Sequence, residues 1–202
     1  VKIVREVKLI SCGKFARSRE WGKARTKLHR AIKKVEWPTG SGKFTIYPES
    51  GKKRGMGNGV VPIKAGLMID LKKQGYRLEA IATLGSKRKF GRFDAVLNTS
   101  YGPAVVEWET GNISSSHRSL NKMALFLLEG RIAAGVLIVP TRALYNYLTD
   151  RVGNMQELEP YLKLWRSIPC KSGVLEIVAI EHDATSKHVR RITKMTAGRA
   201  LA

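Results

Sequence analysis

Six consecutive apolar residues, Ala-Gly-Val-Leu-Ile-Val at 134–139, set the tightest limit on the fold. A strand with one wet face alternates apolar and polar residues. An unbroken run of this length predicts a strand covered on both faces, as in a sheet with helices on either side. The flanks agree. Leu120, Met123, Ala124, Leu127 and Leu128 recur at helical spacing over 115–129, and a short helix over 156–166 precedes a last strand at 174–180. Upstream, 92–97 and 104–108 read as strands, and the turn formers Asn98 to Pro103 between them predict an antiparallel hairpin.

The rest of the chain follows the same alternation. Trp21, Ala24, Leu28, Ala31, Ile32 and Val35 form a helical stripe over 18–35, which the run from Pro38 to Gly42 ends. A short β-like run at 43–47 leads into a glycine-rich loop at 51–59, and a helix over 63–74 closes at Gly75. Gly42-Lys43 lacks the glycine and hydroxyl spacing of a phosphate-binding P-loop. Strands interleaved with helices predict the α/β class: a mixed central sheet flanked by helices. The expected organisation is one domain over 1–202, with a basic helix at 18–35, a core over about 36–180 and a basic tail at 183–202.

Charge narrows the function. The chain carries 37 Lys and Arg against 16 Asp and Glu, a formal charge of +21. Such an excess repels itself in a compact state and points to a polyanionic partner, nucleic acid first. Twelve of the cations fall within residues 1–35, and Lys52-Lys53-Arg54 adds a second cluster. Both read as phosphate contacts. The longest apolar stretch is too short to cross a bilayer, so no membrane association is expected. Charges every few residues at the start argue against a secretory leader, and Cys12 and Cys170 lack metal-ligand spacing, so a cytoplasmic setting is expected.

Against that basic background the acids at 94, 107 and 109 stand out. If 104–108 is a strand, Glu107 and Glu109 share a face while Trp108 points into packing, and Asp94 on the preceding strand joins the same patch. Clustered carboxylates repel unless a cation compensates them. Mg²⁺, which prefers carboxylate and phosphate oxygens, would do so while activating water against a phosphodiester. A solvated edge-strand face explains the same acids without any chemistry.

The flanking residues favour the nuclease. Glu107-Trp108-Glu109-Thr110-Gly111-Asn112-Ile113-Ser114-Ser115, followed by His117-Arg118-Ser119 and Asn121-Lys122, closely resembles the BamHI family of type II restriction endonucleases. So do Asn58-Gly59-Val60-Val61-Pro62-Ile63-Lys64, and Tyr147 to Val152 with Glu157-Leu158-Glu159-Pro160-Tyr161 beyond. The resemblance covers about residues 36–165. It implies a PD-(D/E)xK nuclease core in which Glu109 replaces the usual lysine. Asp94 and Glu107 would then ligate Mg²⁺ with the carbonyl of Trp108, and Glu109 would orient or deprotonate the attacking water. Glu79, one residue off the family spacing, would be the further acidic ligand.

The resemblance also implies DNA contacts by Asn112, Ser114, Arg118, Asp150, Arg151 and Lys64, and by Asp183 within Asp-Ala-Thr-Ser-Lys. Without it, Asn112 and Ser114 read as a helix N-cap. The implied target is double-stranded DNA at the palindrome GGATCC, cut between the two guanines to leave 5′ overhangs, with no organic cofactor. A palindrome cut on both strands calls for a homodimer. By resemblance its contact pairs the helix after the catalytic strand with the helix after the Asp-Arg block, Glu129 facing Arg166 and Leu128 near Lys163. Two rivals stand beside this reading: a non-catalytic basic nucleic-acid binder, and a nuclease of this fold with another target. His117 reads as structural, and His29, His182 and His188 carry no metal spacing.

Overall fold

The structure is a computed structural model that describes residues 1–52, 55–81, 91–149 and 152–193. Its frame is one six-stranded sheet in the order β1-β7-β6-β5-β4-β3. The expected buried strand is β6, Ala134–Pro140, and every residue of it is buried. It lies between β5, Gly102–Trp108, and β7, Gly173–Glu181, parallel to both. Parallel neighbours need crossovers, which supply the helices that cover β6. Between β5 and β6 the crossover is α4, Ile113–Leu128. Between β6 and β7 it contains α5, Arg142–Tyr145, α6, Met155–Leu158, and α7, Leu162–Arg166.

The expected hairpin is present: β4, Phe93–Thr99, pairs antiparallel with β5 around the turn at Ser100. Two strands extend the sheet beyond the sequence reading. β1, Lys2–Cys12, pairs antiparallel with β7, and β3, Arg77–Ala80, adds an edge to β4. The segment read as basic phosphate-contacting chain is therefore partly a strand. Its Glu6 meets Arg25, and its Arg5 meets Glu159.

The predicted helix over 156–166 is not continuous. α6 gives way to a 3₁₀ turn, Glu159–Tyr161, before α7 begins. Pro160 has no N–H to continue the α ladder, which accounts for the break. The β-like run at 43–47 contains β2, Thr45–Ile46, paired in parallel with β8, Ala184–Thr185.

The sheet divides the core into two layers. α2, Arg19–Lys33, and α3, Val61–Lys73, pack Leu28, Ile32, Leu67 and Leu71 against the face of Val106, Ile138 and Val178. On the other face α4 and α7 pack Leu120, Met123, Phe126 and Trp165 against Val105, Leu137 and Ile177. Gly135 of β6 lets α4 approach, since a Cβ there would lie 2.7 Å from Met123 Sδ. No described helix is long and apolar enough to cross a membrane.

Candidate active site

The acids meet where β5 ends. One step beyond the last registered β4–β5 pair, Ala95 with Val106, Asp94 stands opposite Glu107. The N–H of Trp108 donates to Asp94 Oδ2 at 2.8 Å, while the Trp108 side chain joins the core beside Val106 and Ile138. Alternation along the strand therefore sends the indole inward and leaves Glu107 on the face covered by α4.

Each carboxylate meets an ammonium from a different layer. Lys64 Nζ, on α3, lies 2.5 Å from Asp94 Oδ1, and Lys122 Nζ, on α4, lies 2.5 Å from Glu107 Oε1. Lys122 also donates to the Arg92 carbonyl at 3.2 Å and sits 4.0 Å from the centre of the Phe93 ring. Burial pushes the Glu107 carboxyl up to about 7, with the Asp94 charge adding to the rise against the pull of Lys122 and Lys64. Asp94 and Glu107 thus form a desolvated acidic pair that the fold compensates with its own cations.

Glu109 continues the strand one pleat further. Its N–H donates to the Ile138 carbonyl at 2.9 Å, and its Oε1 accepts from the Gly111 N–H at 2.6 Å. Burial raises its carboxyl above the ordinary range, opposed chiefly by that Gly111 hydrogen bond. Gly111 is needed there: a Cβ would stand 2.8 Å from Ser115 Oγ and 3.1 Å from Glu109 Oε1. Glu79 lies between the registered pairs Leu78 with Ala95 and Ala80 with Phe93, in the row of Asp94 on the edge strand. It is exposed, and its backbone takes φ 45°.

The donor set suits a hard divalent cation. Asp94 and Glu107 present carboxylate oxygens from neighbouring strands, and their mutual repulsion favours a bound positive charge. Among the described residues no three His, Cys, Asp or Glu side chains gather closely enough to cage a metal by themselves. Any cation held here would complete its shell with other oxygens, as Mg²⁺ does with water and phosphate.

Beyond Glu109 the chain turns into α4. Asn112 caps that helix, its side chain accepting from the Ser115 N–H at 3.2 Å, as the capping reading predicts. Asn112, Ser114 and Arg118 are all exposed, and Ser114 and Arg118 share a helix face at a four-residue spacing. Arg118 Nη2 reaches Ser115 Oγ at 3.3 Å. Asp150 and Arg151 lie outside the described residues, but their neighbours are fixed. Thr149 N–H donates to the Asn58 carbonyl and Gly153 N–H to the Gly111 carbonyl, both at 2.9 Å. A Cβ on Gly153 would stand 2.3 Å from Ser116 Oγ. Gly153 is thus tied to the start of α4, and Thr149 to Asn58.

Asp183 stands apart from this cluster, beside β8. Its Oδ2 accepts from the Phe44 N–H at 2.7 Å and from the Val1 nitrogen at 2.9 Å. Lys53, Arg54 and residues 194–202 of the expected basic tail also fall outside the described residues. His117 packs its ring against Tyr161 and Trp165, with centroids 4.5 and 5.3 Å away, in agreement with a structural role.

Two residues were given no role of their own from sequence. Lys122 follows Arg118 by four positions and precedes the buried Met123, so a half-buried ammonium was the available signal. Asn58 is fully buried. Its amide donates to the Tyr47 and Tyr147 carbonyls while its Oδ1 accepts from the Ile192 N–H, joining three segments behind the site.

The fold is that of a known class of enzyme. Over 95% of this chain and 88% of the other, it matches the restriction endonuclease BglII, solved in complex with a DNA 16-mer, with a TM-score of 0.65 at 10% sequence identity. Family and relatives give the class, the type II restriction endonucleases. Within it, the family described as restriction endonuclease BamHI matches residues 1–199, and the chain belongs to that family. It is 47% identical over 174 residues to the type II restriction enzyme OkrAI of Oceanobacter kriegii, covering 86% of this chain and 87% of that protein. It is 39% identical over 140 residues to the type II restriction enzyme BamHI of Bacillus amyloliquefaciens, covering 66% and 64%. The chain is accordingly a site-specific deoxyribonuclease that acts on double-stranded DNA, which removes the non-catalytic binder as a reading.

Proposed function

We propose that this enzyme hydrolyses DNA at GGATCC, between the two guanines of each strand, as a homodimer that uses Mg²⁺. The observation that carries the chemical part is the abutting pair Asp94 and Glu107, each held by a lysine at 2.5 Å. Asp94 and Glu107, with the Trp108 carbonyl, would hold the cation. Bound there, Mg²⁺ supplies charge neutralisation at the scissile phosphate and a more acidic water. Lys64 and Lys122 keep the two acids from repelling each other apart in the metal-free protein.

Glu109 is the proton acceptor in this reading. Its desolvated carboxylate is a stronger base than an exposed one, and the Gly111 hydrogen bond on Oε1 fixes the orientation in which it would take a proton from water. Water oxygen bonds to phosphorus as the bond to the leaving sugar oxygen breaks. Glu79 stands in the same row of the sheet as Asp94 and Glu107 and would approach the centre only with DNA and metal bound.

Base reading falls to groups around the start of α4. Asn112 and Ser114 offer an amide and a hydroxyl, Arg118 supports them, and Asp150-Arg151 supply a carboxylate for cytosine N4 and a guanidinium for guanine. Asp183 Oδ2 is satisfied within the protein, so Oδ1 is the oxygen with which it would accept from a base. For the dimer, α4 and α7 expose Leu128 and Leu164 at 49% and 61%, with Tyr161 at 46% beside them. Glu129 pairs with Arg131 of its own chain at 3.2 Å, so the apolar set is the stronger basis for the contact.

Digestion of a DNA of known sequence with added Mg²⁺, followed by sequencing of the ends, tests the assignment. Four-base GATC 5′ overhangs at every GGATCC are expected, and uniform ends at any other sequence would overturn the target.

A further inference from the structure

We propose that the outer face of α2 is a second binding surface for double-stranded DNA, engaging a segment other than the one in the cleavage site. Arg19, Lys23, Lys27 and Arg30 recur at the spacing of one helical face and line an open trough of about 510 Å³, with Gly22 and Thr26 as its floor. Four cations over about 16 Å of helix axis present a row of positive charge to a polyanionic backbone.

The trough has features that a merely solvated face does not need. Gly22 lies in the first turn of α2, a position where alanine would be the better helix former. No packing demand explains it, because a Cβ at that position meets nothing within 4 Å. Its missing side chain leaves the floor open between Arg19 and Lys23. The C-terminal end of the trough is braced: Lys27 Nζ donates to the Gln74 carbonyl at 3.0 Å, and Arg30 Nη2 to Gln74 Oε1 at 2.9 Å. These two long side chains have lost part of their freedom before any ligand arrives. Arg19 and Lys23 make no hydrogen bond or ion pair among the described residues. Glu20, the helix's only acid, accepts from the Ser100 N–H at 2.8 Å and keeps only a minor Coulombic interaction with Lys23.

Placement decides which DNA this can be. α2 packs on the sheet face opposite α4, which carries Asn112, Ser114 and Arg118. Its first turn is tied to Ser100, six residues along β4 from Asp94, which is about 20 Å at strand rise. A duplex read by the exposed groups at the start of α4 lies across the sheet from the trough and would reach it only by bending. DNA is stiff over about 500 Å, so a bend within so few base pairs costs several kcal/mol. The trough therefore takes a separate segment, and a protein holding two segments passes between them without dissociating into bulk solution.

The experiment uses the full chain in chelator, saturated with an unlabelled 12-base-pair duplex carrying GGATCC and titrated with a fluorescent 20-base-pair duplex lacking it. A ternary complex is expected by anisotropy. Arg19→Gln/Lys23→Gln/Arg30→Gln should weaken binding of the second duplex at least tenfold and lower its log-log salt slope by about 2 to 3. Affinity for the short cognate duplex, and its cleavage with Mg²⁺, should stay within twofold of wild type. Gly22→Glu, which fills the floor with an anion and keeps every cation, should act in the same direction and guards against misfolding of the triple variant. Absence of a ternary complex, undiminished second binding in both folded variants, or an equal loss of cognate binding would overturn the proposal.

Discussion

Lys122 Nζ lies 2.5 Å from Glu107 Oε1, so a cation from the helix layer neutralises a carboxylate carried by the sheet. Lys64 does the same for Asp94. The protein has built charge compensation into the place where the proposed chemistry needs a metal. Removing one partner of such a pair leaves a buried charge exposed to its neighbour's repulsion.

Lys122→Met should destabilise the metal-free protein by at least about 1–3 kcal/mol, the range for leaving a buried polar group unsatisfied. Added Mg²⁺ should restore part of that loss. Thermal unfolding with and without Mg²⁺ checks it: the rise in Tm on adding Mg²⁺ should be larger for Lys122→Met than for wild type.

A pH dependence follows from Glu107. Its carboxyl, pushed up to about 7 by burial and then by Asp94, is protonated in the folded chain at pH values where the unfolded chain has already ionised. Its contribution to stability is present in full below about pH 4.5 and is lost as pH rises through 7. At 1.36 kcal/mol per pH unit the span corresponds to about 3 kcal/mol. Denaturant unfolding in chelator at pH 4.5 and pH 8 should show wild type losing that amount relative to Glu107→Gln. A difference that does not change with pH would remove the buried acid from the account.

How much was legible in the sequence depended on how local the cause was. β6, the β4–β5 hairpin and α4 follow from an unbroken apolar run, a turn sequence and a helical stripe, all set by neighbours in the chain. β1 was missed because register shifts between Ile3 and Arg5 and between Lys8 and Ile10 break the two-residue alternation. Four residues, Arg77–Ala80, are too few to show a period at all. The same division holds in the site. Asp94 and Glu107 can be placed together from strand pairing, but Lys64 and Lys122 reach them only because α3 and α4 pack on opposite faces of the sheet. Asp183 is tied to Phe44 across 139 residues of chain, and no spacing rule encodes that.

Asn112 caps α4, and substitution can separate that role from its proposed base contact. Asn112→Ala removes the cap of α4 and should cost about 1 kcal/mol in stability. Asn112→Ser keeps a capping oxygen and should stay within about 0.5 kcal/mol of wild type, yet lose the amide proposed to read a base. Denaturation midpoints together with cleavage of GGATCC and of single-base variants distinguish the two effects.

The proposed dimer is tested at the apolar face that Leu128 and Leu164 expose. Leu164→Asp puts a charge where a leucine stands 61% exposed on α7 and should shift the protein towards monomer in sedimentation velocity. Double-strand cutting should fall with it. Glu129→Lys should have a smaller effect, because Glu129 already has an intrachain partner in Arg131. Unchanged sedimentation of Leu164→Asp would place the contact elsewhere.

The most direct measurement compares Glu107→Gln and Glu109→Lys with wild type on a GGATCC duplex, following cleavage with Mg²⁺ and binding by anisotropy in the same preparations. Both variants should cut at least 10³-fold more slowly, on the scale of losing a metal ligand or the proton acceptor, while binding the duplex within about tenfold of wild type. Cutting at the wild-type rate by either folded variant would contradict the assignment of that carboxylate to the reaction.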